Sequence, residues 1–190
     1  MTIVNPVPPR GSEPLWRPAR RLNHANIPEK YLPWLLDQAS LTERIIDHCL
    51  GNFYVRLLDQ RRVRPLRNEA EALGMRGGTR AIVRQVKLMC GETPWVYART
   101  IIPPQTLARK SHRFTTLGAR SLGAMLFADP STRRGEVQIT CLTPLDQLYH
   151  LATLALRDKP EMIWGRRSLF RVGGKPLLVC EFFLPDIAKF

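Results

Sequence analysis

Two long stretches of the 190-residue chain alternate apolar and polar residues with a period of two, the spacing that sends successive side chains to opposite faces of a sheet. The clearer one, Ile163–Val172 followed by Gly173-Gly174 and Lys175–Leu184, predicts a β-hairpin whose two-glycine turn permits positive φ. Arg80–Met89 and Pro94–Ile102 predict a second hairpin, joined by the turn residues Cys90-Gly91-Glu92-Thr93. Phe53–Leu58 and Gly135–Thr140 add shorter strands. Helical spacing appears early and midway. Tyr31, Trp34, Leu35 and Gln38 suit a short helix with Pro33 in its first turn. Ser40-Leu41-Thr42-Glu43 has the S-x-x-E pattern that starts a helix, with Ile45, Ile46, Cys49 and Leu50 as its apolar side. Ala70–Leu73 reads as a short helical piece, and Leu117–Leu126 as a loop entering another. Thr143–Leu156 reads as an amphipathic helix with Thr143 as N-cap and Pro144 in the first position. Strands paired through short turns, with helices gathered in two places, make an α+β fold on an antiparallel sheet rather than a βαβ alternation.

Composition narrows the class. Length and a hydrophobic fraction of 44% suit one globular domain. Residues 1–25 hold five prolines and no apolar core of a secretory signal, so they read as a Pro/Arg-rich, poorly ordered lead-in to a domain spanning 26–190. No apolar run approaches the ~18 residues of a membrane span, which points to a soluble, cytoplasmic protein with no membrane span. The net charge of +13 favours anionic partners without choosing among them. The cluster Arg56, Arg61, Arg62, Arg64 and Arg67, and the segment Trp164-Gly165-Arg166-Arg167-Ser168, read as solvated basic faces. No RRM, KH or zinc-finger signature accompanies them, so no nucleic-acid partner is expected. Cys49, Cys90, Cys141 and Cys180 are widely spaced, which predicts reduced thiols rather than disulfides or a metal site. His24, His48, His112 and His150 are scattered. Phosphate-loop, dinucleotide and nucleophile-elbow motifs are absent.

Two charges sit where charges are costly. Alternation in Ala81–Leu88 places Arg84 on the face of Ile82, Val86 and Leu88. Glu181 interrupts Leu177–Leu184, the most apolar stretch of the chain. A buried charge needs a partner or shifts its pKa. Two readings stand at this point: Arg84 and Glu181 form a structural ion pair, or one lies at a wet strand end; alternatively they line a closed pocket in which a guanidinium grips a carboxylate. Arg99-Thr100, at the end of the returning strand, offers a second place for anion steering.

Several blocks resemble the chorismate pyruvate-lyase family: Trp34-Leu35-Leu36 with Ser40-Leu41-Thr42; Val83-Arg84; Gly91-Glu92-Thr93-Pro94-Trp95; Ala98-Arg99-Thr100; Leu122-Gly123 with Leu126-Phe127; and Trp164–Ser168 through Gly174-Lys175-Pro176-Leu177-Leu178 to Glu181 and Phe183-Leu184-Pro185. The resemblance spans about Tyr31 to Pro185. It implies a compact antiparallel sheet with helices packed on one face and flanking loops, a ligand buried beneath helical flaps, a monomer, and no cofactor or metal. It also implies conversion of chorismate to 4-hydroxybenzoate and pyruvate for ubiquinone synthesis. Carried over by position, substrate contacts fall on Leu41, Arg84, Leu122 and Glu181, with Arg84 and Glu181 catalytic and the two leucines contributing backbone N–H groups. Internal hydrogen transfer and proton transfer through Glu181 are both open. The alternative function is a non-enzymatic small-molecule sensor, since ligand-binding domains of some bacterial repressors are similar to this fold; a lead-in so short and Pro-rich is not expected to supply their winged helix.

Overall fold

The computed structural model describes residues 11–107, 114, 116–154 and 156–189; residues 1–10 of the expected lead-in and His112 lie outside that set. The strands are β1 (Arg17–Pro18), β2 (Phe53–Val63), β3 (Ala81–Cys90), β4 (Thr93–Ile102), β5 (Thr132–Arg134), β6 (Gln138–Leu142), β7 (Ile163–Val172) and β8 (Lys175–Phe183). They form one antiparallel sheet in the order β1-β6-β7-β8-β4-β3-β2, with β5 paired to β7. The α+β antiparallel expectation holds, and both hairpins form where alternation placed them. Gly173 and Gly174 take φ of 56° and 78°, the conformation that the tight β7–β8 turn requires.

Helices α1 (Leu32–Leu36), α2 (Leu41–His48), α3 (Arg67–Ala72), α4 (Leu122–Ala128) and α5 (Gln147–Thr153) flank the sheet. They are not confined to one face, which corrects the expected layering. Trp34, Leu35, Leu41 and Ile45 pack with Val55, Val86, Val96 and Phe183 on one side, and Leu122 and Leu126 pack there with Ile102, Phe170 and Leu177. On the other side, Leu73 beyond α3 and Leu148, Tyr149 and Ala152 of α5 pack on Val83, Ile101, Cys180 and Phe182. Strands apolar on both faces need cover on both.

Three local expectations change. The Thr143–Leu156 helix shortens to Gln147–Thr153, and Thr143 is not its cap: its N–H and hydroxyl donate to Asp146 Oδ2 at 2.8 and 3.1 Å. Residues 11–25 are not a loose lead-in. Arg17 and Pro18 pair with Ile139 and Gln138, Thr140 Oγ1 donates to the Leu15 carbonyl at 2.9 Å, and Trp16 lies 5.8 Å from the Phe182 ring. The Glu13 carboxylate accepts the Arg67 and Asn68 N–H groups at 2.8 Å each, capping α3, whose own cap position is an apolar leucine. Prolines cannot donate to a ladder, but an edge strand of two residues scarcely asks them to. Third, Cys49 and Cys90 form a disulfide with a Cα–Cα distance of 5.7 Å. Spacing in sequence could not show that the end of α2 lands beside the end of β3.

Candidate active site

The sheet's pairing register aligns the pocket. One rung runs Val86, Ala98, Glu181, Arg166, Ile139 across β3, β4, β8, β7 and β6, and the next runs Arg84, Thr100, Val179, Ser168. Side chains of adjacent strands at paired positions share a face, so Arg84 and Glu181 rise from the same floor. Over that floor, α2 and α4 bring their N-terminal ends together: Ser40 and Ser121 cap them by accepting the Glu43 and Ala124 N–H groups, and Thr42 Oγ1 lies 2.7 Å from Ser121 Oγ. Gly123 permits this approach, because a Cβ there would stand 3.1 Å from Thr42 Oγ1. The result is a cleft with about 510 Å³ of empty volume including its mouth, walled by Val55, Leu88, Leu126 and Phe170.

All four residues carried over by position, Leu41, Arg84, Leu122 and Glu181, line this one cleft. Leu41 and Leu122 are the first residues of α2 and α4, where backbone N–H groups lack intrahelical acceptors. Arg84 and Glu181 do not form an ion pair with each other, which removes that reading. Arg84 is 2% exposed; its terminal nitrogen donates to the Gly118 and Arg120 carbonyls at 2.9 and 3.1 Å, and Nε is buried with no partner. Burial without a counter-anion pulls the guanidinium down to about 10. It is a cation short of an anion, in a cleft. Glu181 instead accepts Arg166 Nε at 2.6 Å on Oε2.

Sequence reasoning misplaced two arginines here. Arg166 and Arg167, expected on a solvated face, are 1% and 8% exposed. Arg166 faces the cleft side, and Arg167 faces the other, bonded to Gln138 and Asn68 and lying over the Trp16 ring. Period two sends neighbouring residues of a strand to opposite faces; that both faces are covered was the missing fact. Arg99 also leaves the site. It points to the opposite face and bonds Glu69 at 2.7 and 3.1 Å. Thr42 and Ser121, each adjacent to a residue already singled out, join the lining unforeseen, and of the Arg99-Thr100 pair it is Thr100 that lines the cleft. Among the described residues no group of three or more His, Cys, Asp or Glu side chains is placed to hold a metal ion.

Comparison with known proteins agrees with the geometry. The sequence model described as chorismate lyase matches residues 11–189. A probable chorismate pyruvate-lyase of Aromatoleum aromaticum is 41% identical over 172 residues, covering 90% of this chain and 92% of that protein. Another, from an Azoarcus species, is 40% identical over 95% of this chain and 94% of its own length. Among solved structures, the effector domain of PhnF from Mycobacterium smegmatis superposes with a TM-score of 0.57 at 17% identity, covering 79% of this chain and 91% of that one; at such identity the likeness concerns fold alone. A match from residue 11 onward, carried at about 40% identity by relatives of nearly equal length, places this chain in the chorismate lyase family.

Proposed function

We propose that the protein converts chorismate to 4-hydroxybenzoate and pyruvate, with Arg84, Glu181, Leu41 and Leu122 as its substrate contacts. The observation that carries this reading is the buried Arg84 guanidinium, unpaired in a cleft whose floor also presents a carboxylate. A desolvated cation favours binding an anion far more than an exposed one does. Arg84 holds the ring carboxylate. Glu181, with one oxygen engaged by Arg166, is the acceptor for the ring hydroxyl, while the first N–H groups of α2 and α4 meet the remaining oxygens. In the reaction the ether C–O bond breaks, the ring loses one hydrogen, and the departing enolpyruvyl unit gains one at its methylene. Aromatisation supplies most of the driving force, so orientation and exclusion of water suffice for the protein's part. A Glu181 already bridged to a cation suits a fixed acceptor better than an acid, which favours internal hydrogen transfer. No cofactor is needed in this scheme.

The same reading places the protein in ubiquinone synthesis, acting as a cytoplasmic monomer without a nucleic-acid partner. One feature pulls against the cytoplasm: disulfides such as Cys49–Cys90 are rare in reducing compartments. Alkylating thiols at the moment of cell lysis and counting them decides the state of the pair. The activity itself is tested by incubating purified protein with chorismate and a chelator and following 4-hydroxybenzoate absorbance together with pyruvate. Equimolar release of both supports the lyase; tight binding of chorismate without either product supports the sensor.

A further inference from the structure

Arg166 is completely buried and has three acceptors: Glu181 Oε2 on Nε at 2.6 Å, and the carbonyls of Trp34 and Asp37 on one terminal nitrogen at 2.8 and 2.7 Å. Those carbonyls belong to α1 and its C-terminal cap, just before Ser40 begins α2. The guanidinium carbon also lies 5.7 Å from the Phe183 ring centroid, within cation–π range. One side chain therefore holds a floor carboxylate of the cleft and the chain segment that sets the roof. We propose that Arg166 is a positioning residue of the lyase reaction: it aims the Glu181 carboxylate at the substrate and locks the α1–α2 junction, so that floor and roof keep a fixed separation. The proposal rests on the lyase reading and adds to it a residue that touches no substrate.

Charge placement supports this. Arg166 stands between two carboxylates, Glu181 on β8 and Asp37 on the roof junction. Burial pushes the Asp37 carboxyl up, but the Ala39 N–H, Arg44 and the nearby Arg166 outweigh it and hold it low. A second arginine, Arg134 on β5, separates the two jobs. It donates to Ser168 Oγ at 3.0 Å and to the Asp37 and Gln38 carbonyls at 3.2 and 3.0 Å. Arg134 thus secures the same junction without bonding Glu181. Were Arg166 only a fastener for the junction, the two arginines would be interchangeable in effect.

The test compares Arg166→Gln, Arg134→Gln, Glu181→Gln and the Arg166→Gln/Glu181→Gln double variant in steady-state turnover of chorismate. Melting curves and benzoate binding check the fold and the Arg84 subsite. Arg166→Gln should lower kcat about 100-fold, the scale of a misplaced reacting group, while KM moves less than about threefold because Arg84 still carries the carboxylate. Arg134→Gln should cost less than about tenfold, and the double variant should lose clearly less than the product of its two singles, since Arg166→Gln and Glu181→Gln share the loss of the Arg166–Glu181 bond. Equal losses in Arg134→Gln and Arg166→Gln, or losses that multiply in the double variant, overturn the proposal. If Arg166→Gln does not fold, Arg166→Lys replaces it. That variant keeps a cation for Glu181 but cannot span three acceptors, so it should melt lower yet keep a higher kcat than Glu181→Gln; a lower kcat overturns the proposal. Failure of the wild-type protein to consume chorismate rejects the lyase reading itself, a result no variant can mimic.

Discussion

On the cleft side of the sheet, Arg84 reaches into a space where, among the described residues, its hydrogen bonds go to two carbonyl oxygens. On the opposite side, Arg99, paired across β3–β4 with the very next residue, Gln85, meets the Glu69 carboxylate in a two-pronged bond, and Glu69 Oε2 also takes the Leu66 N–H at 2.8 Å. Both arginines are buried. Burial lowers Arg84 to about 10; it pulls on Arg99 too, but Glu69's charge and hydrogen bonds outweigh it and the guanidinium ends above its usual value. The difference teaches how to tell a strut from a site: an arginine whose donors are matched by a carboxylate holds the fold, whereas one left wanting an anion awaits a ligand.

The comparison breaks most visibly in unfolding. Arg99→Met leaves Glu69 buried and unpaired and should cost about 3–5 kcal/mol in urea denaturation, with the cleft chemistry intact in whatever remains folded. On the cleft side, reducing Cys49–Cys90, which closes a loop of sequence separation 41, should cost about 4 kcal/mol in the chain-entropy account, read as a lower Tm in a dithiol reductant. Arg84→Met should reverse the Arg99 pattern: turnover falls at least ~100-fold, while stability stays within about 1 kcal/mol because a desolvated charge disappears along with two carbonyl bonds. If Arg84→Met unfolds the protein as Arg99→Met does, the distinction is lost.

Alkali sharpens the same contrast. Arg84 is held below its unfolded value, so the fold prefers its neutral form; that group's contribution to stability rises as pH climbs through about 10, while its grip on a carboxylate declines over the same range. Benzoate, which has no phenol to titrate, should bind progressively more weakly from pH 9 to 11 in a calorimetric titration; pH-independent affinity would sink the assignment. The smallest expected effect is at the roof. Gly123→Ala sets a methyl 3.1 Å from Thr42 Oγ1 and should weaken benzoate by about tenfold, one lost hydrogen bond's worth, without lowering Tm.

Local periodicity made the sheet legible, because a strand's alternation is written in consecutive residues. Arg84 and Glu181 stood out for the same reason: each violates the apolar pattern of its own strand. What the pattern lacked was knowledge of cover. Arg166 and Arg167 look like ordinary wetted positions until Trp34 and Asp37 arrive over one and Trp16 over the other, from segments more than a hundred residues away. The Cys49–Cys90 bond and the Thr42–Ser121 contact are likewise tertiary facts. The Thr143 cap failed on chemistry, since Thr143 spends its own N–H and hydroxyl as donors to the Asp146 carboxylate and the helix starts only after Asp146. Leu41 and Leu122 carried no signal of their own; the Ser40 capping pattern and the family resemblance brought them to attention.

Trp16 lies tilted against Phe182, whose ring stacks on Tyr97 at 5.9 Å, and the two residues after it form the outermost ladder partner of Gln138 and Ile139. Trimming the gene at residue 26 would therefore not yield a tidier protein. It would unroof a phenylalanine, uncap α3 by deleting Glu13, and leave β6 with open amides along a flank where stray strands can add, so a shortened version made for crystallisation or assay should be begun before Gly11.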